Sequence, residues 1–549
     1  MVVPELRPWR AARPHAVRVA AAVRPRVARL SAAAKPQVTR LAQVAGPLLA
    51  RVPRTIGPRL AITRPKAVRT WRYTAGAATA GLALAAGVVT AAGPWDSSGQ
   101  RTAERDRAAA QGRTGGADHG RPPSGPRPAA PRPAPSAVAV LTGLGGTAAG
   151  TGRSAPGSVP DPAALTAVLD PLLDVPALGG RHAAAVVDVA TGRLLYGAAD
   201  GAGRALTPAS TTKIATAVAA LSAMGPDHRL TTRASLEADT GELILVGGGD
   251  PTLTARAAAD GWASLRTLAA DTAAALKKRG ITRVTLSYDT SLYAGTRIHP
   301  IGVNPNLAPV TALMVDEART DDSTSGPARR AADPAADAAR RFADLLHKAG
   351  VTTTSPGPSK ATARARTLAA VSSPPLSDVV ERMLTNSDND IAEALARHTA
   401  LASGERADFA GGGRAIRARL ERLGLPLAGV RFQDGSGLDR RDRLTPKLLT
   451  ALLVKAADPA HPELRTVHTG LPVAGFTGTL AGRYAQGAAG VVRAKTGTLT
   501  GVNTLAGTVV DTDGRLLAFA LLASDTTNAG AAQAALDRAA TALAACGCR

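Results

Sequence analysis

The chain has 549 residues, 45% of them apolar, and a formal net charge of +24. That length leaves room for two or three domains around a sizeable core, so most of the chain is expected to be globular. The charge is uneven: residues 1–72 hold 16 Lys and Arg against Glu5 alone, residues 96–160 add +4, and residues 161–549 only about +5. The basic excess therefore sits in one Pro-punctuated arm with few aromatics and no nucleic-acid module, and no nucleic-acid partner is expected.

Beyond the basic arm, Tyr73 to Trp95 runs for 23 residues without a charge, with Arg64, Lys66, Arg69 and Arg72 just before it. This stretch is long enough to span a bilayer, and the positive-inside rule puts arm 1–72 in the cytoplasm and everything after Trp95 outside. Val89-Thr90-Ala91 has the form of a small-residue cleavage site, which would make the protein secreted, but so long a basic region before it favours a retained membrane anchor over a cleaved signal. Residues 96–160 are dense in Pro, Gly, Ala, Ser and Arg, and such a segment reads as an extended, disordered tether.

The globular part opens near Asp161. A helix is expected over 164–173, then a β-hairpin from Ala183–Val189 and Leu194–Gly197. Next comes Thr207-Pro-Ala-Ser-Thr-Thr-Lys213, running into an Ile, Ala, Val and Leu helix with no Gly or Pro until Gly225. Ser210 and Lys213 are three apart and fall on one helix face, a nucleophile beside a base. A lysine in so apolar a helix needs a reason, and the chain has ten lysines against 56 arginines. Residues 230–373 carry strand and helix signals of their own and read as an insertion, dividing a catalytic domain of 161–229 and 374–549. Ser387-x-Asn389, the chain's one Ser-x-Asn, precedes a helix. Lys495-Thr496-Gly497-Thr498 stands at the expected end of a strand 491–495, followed by strands 504–510 and 516–522 and a helix 529–545. Strands from both ends of the domain with helices between them suggest one antiparallel sheet, an α/β architecture. Cys546 and Cys548 are too close in sequence for an easy disulfide, and no His/Cys set has metal spacing.

Ser-x-x-Lys, Ser-x-Asn and Lys-Thr-Gly in this order form the set used by serine β-lactamases and penicillin-binding proteins. With Val246-Gly-Gly-Gly-Asp-Pro-Thr-Leu253, Leu307 to Glu317, Asp434-Gly-Ser-Gly-Leu438, Leu471-Pro-Val-Ala-Gly475 and Gly478-Thr-Leu480, the sequence from about 160 to 545 resembles the D-alanyl-D-alanine carboxypeptidase/endopeptidases, the class C low-molecular-mass penicillin-binding proteins. The resemblance implies the penicillin-recognising, β-lactamase-like serine transferase fold with an inserted accessory domain. Ser210 and Ser387 stand 177 positions apart, short for that family, which implies trimmed accessory material. Class A β-lactamases place the Ser-x-Asn motif much nearer the nucleophile and follow it with Glu-x-x-Leu-Asn, which Glu421 to Leu425 does not complete.

By the resemblance, Ser210 attacks the bond between two D-alanines of peptidoglycan stem peptides, and β-lactams acylate it. Lys213 is the base, kept neutral by burial and by Lys495. Ser387 and Asn389 relay the proton and hold the substrate amide. Lys495, Thr496, Gly497 and Thr498 bind substrate, with the cation on the terminal carboxylate. No metal or cofactor is needed. The alternative is a catalytically silent wall-binding protein on the same fold, which would have no use for all five polar groups Ser210, Lys213, Ser387, Asn389 and Lys495.

Overall fold

A computed structural model of the protein describes residues 159–484 and 487–548. The basic arm, the expected membrane anchor 73–95 and all but the last two residues of the tether lie outside the described residues. Among the described residues no helix is long and apolar enough to cross a membrane.

The chain enters through α1 (Pro162–Leu173), started by Pro162 and by Asp161, whose carboxylate accepts the Ala164 N–H at 3.0 Å. Strands β1 (Arg181–Asp188) and β2 (Leu194–Gly197) form the hairpin. A 3₁₀ turn over Ala209–Thr211 then leads into α2 (Thr212–Met224), which ends at Gly225 with φ of 83°. At the other end of the chain lie three strands and a helix. Residues 181–197 and 492–524 thus come together as one antiparallel sheet.

Residues 231–372 build a second sheet. Its strands are β3 (Thr231–Leu236), β4 (Leu243–Val246), β6 (Leu286–Asp289), β8 (Gly357–Pro358) and β9 (Arg366–Ser372), in the order β8-β6-β4-β3-β9, while β5 (Arg283–Val284) and β7 (Thr352–Thr353) pair separately. Helices α3 (Leu265–Lys277) and α4 (Pro334–Lys348) cover it, and Leu243, Leu245, Leu268, Leu276, Phe342 and Leu346 share its core. The chain then returns through α5 (Leu376–Asn386), α6 (Asn389–Ala402), α7 (Phe409–Arg422) and α8 (Pro446–Ala457) to β10 (Val492–Leu499), β11 (Val502–Val510), β12 (Leu516–Ser524) and α9 (Ala529–Ala544).

The first sheet has the order β10-β11-β12-β1-β2, antiparallel throughout. Both of its faces are buried, which is why its strands read as unbroken apolar runs. Side chains alternate between the faces. Val186, Leu505, Phe519 and Leu521 pack with Leu165, Leu169 and Leu536 of α1 and α9. On the other face Ala183, Ala506, Ala518 and Ala520 meet Ile214, Val218 and Leu221 of α2, with α5, α6 and α8 behind. The alanines let the nucleophile's helix lie close to the sheet.

Two local expectations change. β10 does not stop at Lys495 but runs on to Leu499, because Thr496, Gly497 and Thr498 continue the ladder opposite Leu505, Thr504 and Asn503. Cys546 and Cys548 are joined as a disulfide, because the backbone after α9 bends enough to bring the two Cα atoms to 5.0 Å, within bridging distance.

Candidate active site

Ser210 sits in the 3₁₀ turn that feeds α2, behind Ala209, whose φ of 47° is a conformation non-glycine residues rarely hold. The turn is fixed by its surroundings. Pro208 O accepts the Thr504 hydroxyl of β11 at 2.8 Å and the Thr211 hydroxyl at 2.7 Å. Gly497 of β10 lies so near that a Cβ there would stand 2.8 Å from Pro208 O and 3.0 Å from Ala209 Cβ. Gly437 approaches from the other side, where a Cβ would be 1.9 Å from Ala209 O. Both glycines therefore serve close packing around the nucleophile's turn.

Lys213, one turn along, is fully buried. Its Nζ lies 3.0 Å from Ser210 Oγ, 2.6 Å from Asn389 Oδ1 and 2.7 Å from Ser436 O. Asn389 Nδ2 donates to Asn306 O at 2.8 Å, which fixes the amide with Oδ1 toward the lysine. Two of the three groups around Nζ are carbonyl oxygens and can only accept. A neutral amine has two N–H groups and one lone pair, so the carbonyls take both N–H groups and the lone pair is left for Ser210 O–H. Burial favours the neutral form and pushes Lys213 down to about 8, against the pull of Asp434, Asp388, Glu393 and Asp390.

The second motif follows from two helix ends. Ser387 closes α5 in the left-handed conformation, with φ of 58° and ψ of 40°. Asp388 caps α6 by accepting the Ile391 N–H at 3.0 Å, so the cap is neither Ser387 nor Asn389. Ser387 and Asn389 are thereby left facing one open cavity of about 280 Å³, which Ser210, Thr496 and Thr498 also line. Among the described residues no partner takes the Ser387 hydroxyl.

On β10, Thr496 and Thr498 face the cavity while Lys495 and Gly497 turn inward, as the two-residue period requires. Lys495 is fully buried, and its Nζ donates to Thr496 O at 2.8 Å. Burial, then repulsion from Lys213 and Arg483, hold its pKa well below the ordinary lysine value. Among the described residues no carboxylate is paired with this buried amine.

Sequence reasoning missed the groups behind these residues. Ser436 contributes a backbone carbonyl, and no residue pattern announces that. Its loop is gathered by Asp434, which accepts from Gly437 N at 2.6 Å and Asp439 N at 2.7 Å, and by Glu393, which accepts from Gly435 N at 3.1 Å and Ser436 N at 3.0 Å. Burial disfavours the Asp434 charge, but the bond from His299 and these N–H groups win and hold it near 2. Behind the second motif, Glu317 takes Arg319 at 2.8 Å and Arg382 at 2.6 Å, while Asp390 takes Arg330 at 2.8 Å.

Two groups of three, His299/Glu393/Asp434 and Glu317/Asp388/Asp390, bring metal-ligand atoms within 4.8 Å of one another. In the first, N–H donors engage the lone pairs; in the second, guanidinium groups hold Glu317 and Asp390 while Asp388 is hydrogen-bonded to Glu317, so neither is arranged as a cation cradle.

Residues 165–326 and 320–543 match the model of the D-Ala-D-Ala carboxypeptidase 3 (S13) family. The chain belongs to the S13 peptidase family. A carboxypeptidase of Mycobacterium tuberculosis is 37% identical over 407 residues, 71% of this chain and 86% of that protein. The D-alanyl-D-alanine carboxypeptidase of an Actinomadura species is 30% identical over 452 residues, 64% of this chain and 80% of that one. Among solved structures, penicillin binding protein 4 of Haemophilus influenzae superposes with a TM-score of 0.57 at 22% identity, covering 69% of this chain and 98% of that chain. The fold is accordingly that of the penicillin-binding proteins. Within this S13 chain, Ser210, Lys213 and Asn389 meet directly, Ser387, Thr496 and Thr498 share their cavity, and Lys495 lies beneath it.

Proposed function

We propose that this S13 peptidase is a serine-type D-Ala-D-Ala carboxypeptidase in which Ser210 is the nucleophile and Lys213 its base. The observation that carries this reading is the environment of Lys213: two carbonyls take its N–H groups and its lone pair faces Ser210 Oγ. Ser210 Oγ attacks the carbonyl carbon between two D-alanines, and its proton passes to Lys213. The C–N bond breaks as the Ser387 hydroxyl hands a proton to the leaving amine, and Lys213 reprotonates Ser387. Backbone N–H groups of Ser210 and Thr498 hold the oxyanion. Asn389 supports the substrate amide with its second Nδ2 hydrogen. Water then cleaves the ester.

Lys495, with the Thr496 and Thr498 hydroxyls, receives the terminal carboxylate. A buried amine without an acidic partner gains most from an anion, and binding draws a proton onto it. β-Lactams acylate Ser210 in place of the peptide. A membrane anchor at 73–95 and the tether to residue 160 place the domain outside the membrane, within reach of peptidoglycan stem peptides. Residues 230–373 form the inserted accessory domain of the catalytic unit 161–229 and 374–549. The test is D-alanine release from a peptide ending in D-Ala-D-Ala, by the wild-type chain and by Ser210→Ala. The reading expects stoichiometric release per cleavage from the former and none from the latter; release by both would overturn it.

A further inference from the structure

We propose that the loop His299–Asn306 of the inserted segment is a positioning element for Lys213, gripping from outside both carbonyls that hold its amine. The inference rests on Lys213 being the base.

The first grip is direct. Asn306 O accepts from Asn389 Nδ2, so the same amide must turn Oδ1 to Lys213. The Asn306 turn is itself tied by its N–H to Asn304 Oδ1 at 2.9 Å, and Asn304 Nδ2 donates to Gly302 O at 3.0 Å.

The second grip passes through one carboxylate. His299 Nε2 lies 2.9 Å from Asp434 Oδ2, and Asp434 gathers the turn whose Ser436 carbonyl faces Lys213. His299 is buried, with its ring edge-on to Phe409 of α7 at 5.0 Å. The ionisable groups around it are Asp434, Asp439 and Asp442 of the 434–442 segment and Glu393 of α6, which is paired with Arg397. Burial disfavours a charged ring, and the bond to Asp434 more than offsets this. Nδ1, however, already accepts the Ile301 N–H at 3.2 Å, so the ring works as a neutral Nε2–H donor in this geometry.

The loop is therefore a clamp with two ends a few residues apart in sequence. Loosening it lets a carbonyl leave Nζ. The lone pair then wanders from Ser210, and Lys213 loses an acceptor that stabilises its ammonium more than its amine. Acylation slows, and the acidic limb of its pH profile moves to lower pH. A merely structural residue would leave that limb where it is.

The experiment is the second-order rate of fluorescent penicillin labelling from pH 5 to 10, on the full chain, for wild type, Ser210→Ala, His299→Phe, His299→Gln and Asn304→Ala. His299→Phe is expected to lower the plateau about 10-fold or more and shift the limb down, while His299→Gln, which keeps a donor at the Nε2 position, stays within about 3-fold of wild type with its limb unmoved. Asn304→Ala, at a half-buried position, reads the other grip if His299→Phe does not fold; it is expected to lose about 3-fold or more with the same downward shift. Wild-type rates in these variants, or losses that follow melting temperature with an unmoved limb, would overturn the clamp and leave the functional reading intact. Labelling of Ser210→Ala at the wild-type rate would overturn both.

Discussion

Replacing Lys495 with Gln keeps the stem and a donor but removes the charge. Lys495 is fully buried, its Nζ hydrogen-bonded to a backbone carbonyl, so a substrate carboxylate would meet it in a site already largely dry. One charge-assisted contact of that kind is worth about 1.5–3 kcal/mol, or about 10- to 100-fold in kcat/KM. That loss should fall on a D-Ala-D-Ala peptide with a free C-terminus and spare the same peptide amidated. The Lys213 limb serves as the control. The repulsion between the two amines falls on Lys495, while Lys213 is lowered by its own burial. The acidic limb governed by Lys213 should therefore stay near 8 in the variant, with the amide as with the acid. The assay is kcat/KM for the two peptides across pH 6–10. An equal loss on both at every pH would refute Lys495 as the carboxylate anchor.

Three further outcomes follow from the geometry. Acylation by penicillin should fall as pH drops below about 8, because Lys213 gains a proton there and cannot take one from Ser210; a rate flat from pH 9 to 6 would exclude Lys213 as the base. Gly497→Ala would drive a Cβ to 2.1 Å from Thr504 Oγ1 and onto the nucleophile's turn, with an expected destabilisation of about 1–3 kcal/mol in denaturant unfolding and slower acylation; a variant as stable and as fast as wild type would contradict the close packing. A reporter fused after Trp95 should be active only outside the cytoplasm, and cytoplasmic activity would contradict the anchor.

The parts of the site that could be read in the sequence are those whose chemistry needs a rare residue in a rare setting. Lys213 stood out as a lysine in an apolar helix, and Ser387-x-Asn389 and Lys495-Thr496-Gly497 as single occurrences in a chain poor in Asn and Lys. What stayed hidden is what any residue could supply. Ser436 and Asn306 act through backbone carbonyls, and a carbonyl has no sequence signature. His299 reaches Asp434 across 135 positions, and alone it reads as one of nine histidines. The antiparallel sheet was legible because both of its faces are buried, which makes its strands apolar throughout. The run of β10 past Lys495 was not, since Thr and Gly after a lysine look like a turn until the partner strand is known. The same holds for Cys546 and Cys548, whose spacing says nothing of how far the backbone bends between them.

The most direct test of the account is to acylate the full chain with a penicillin, digest it, and find the modified residue by mass. The account predicts a single adduct on the peptide containing Ser210, absent from Ser210→Ala. An adduct on another residue, or an unmodified Ser210 in a chain that still releases D-alanine, would contradict it.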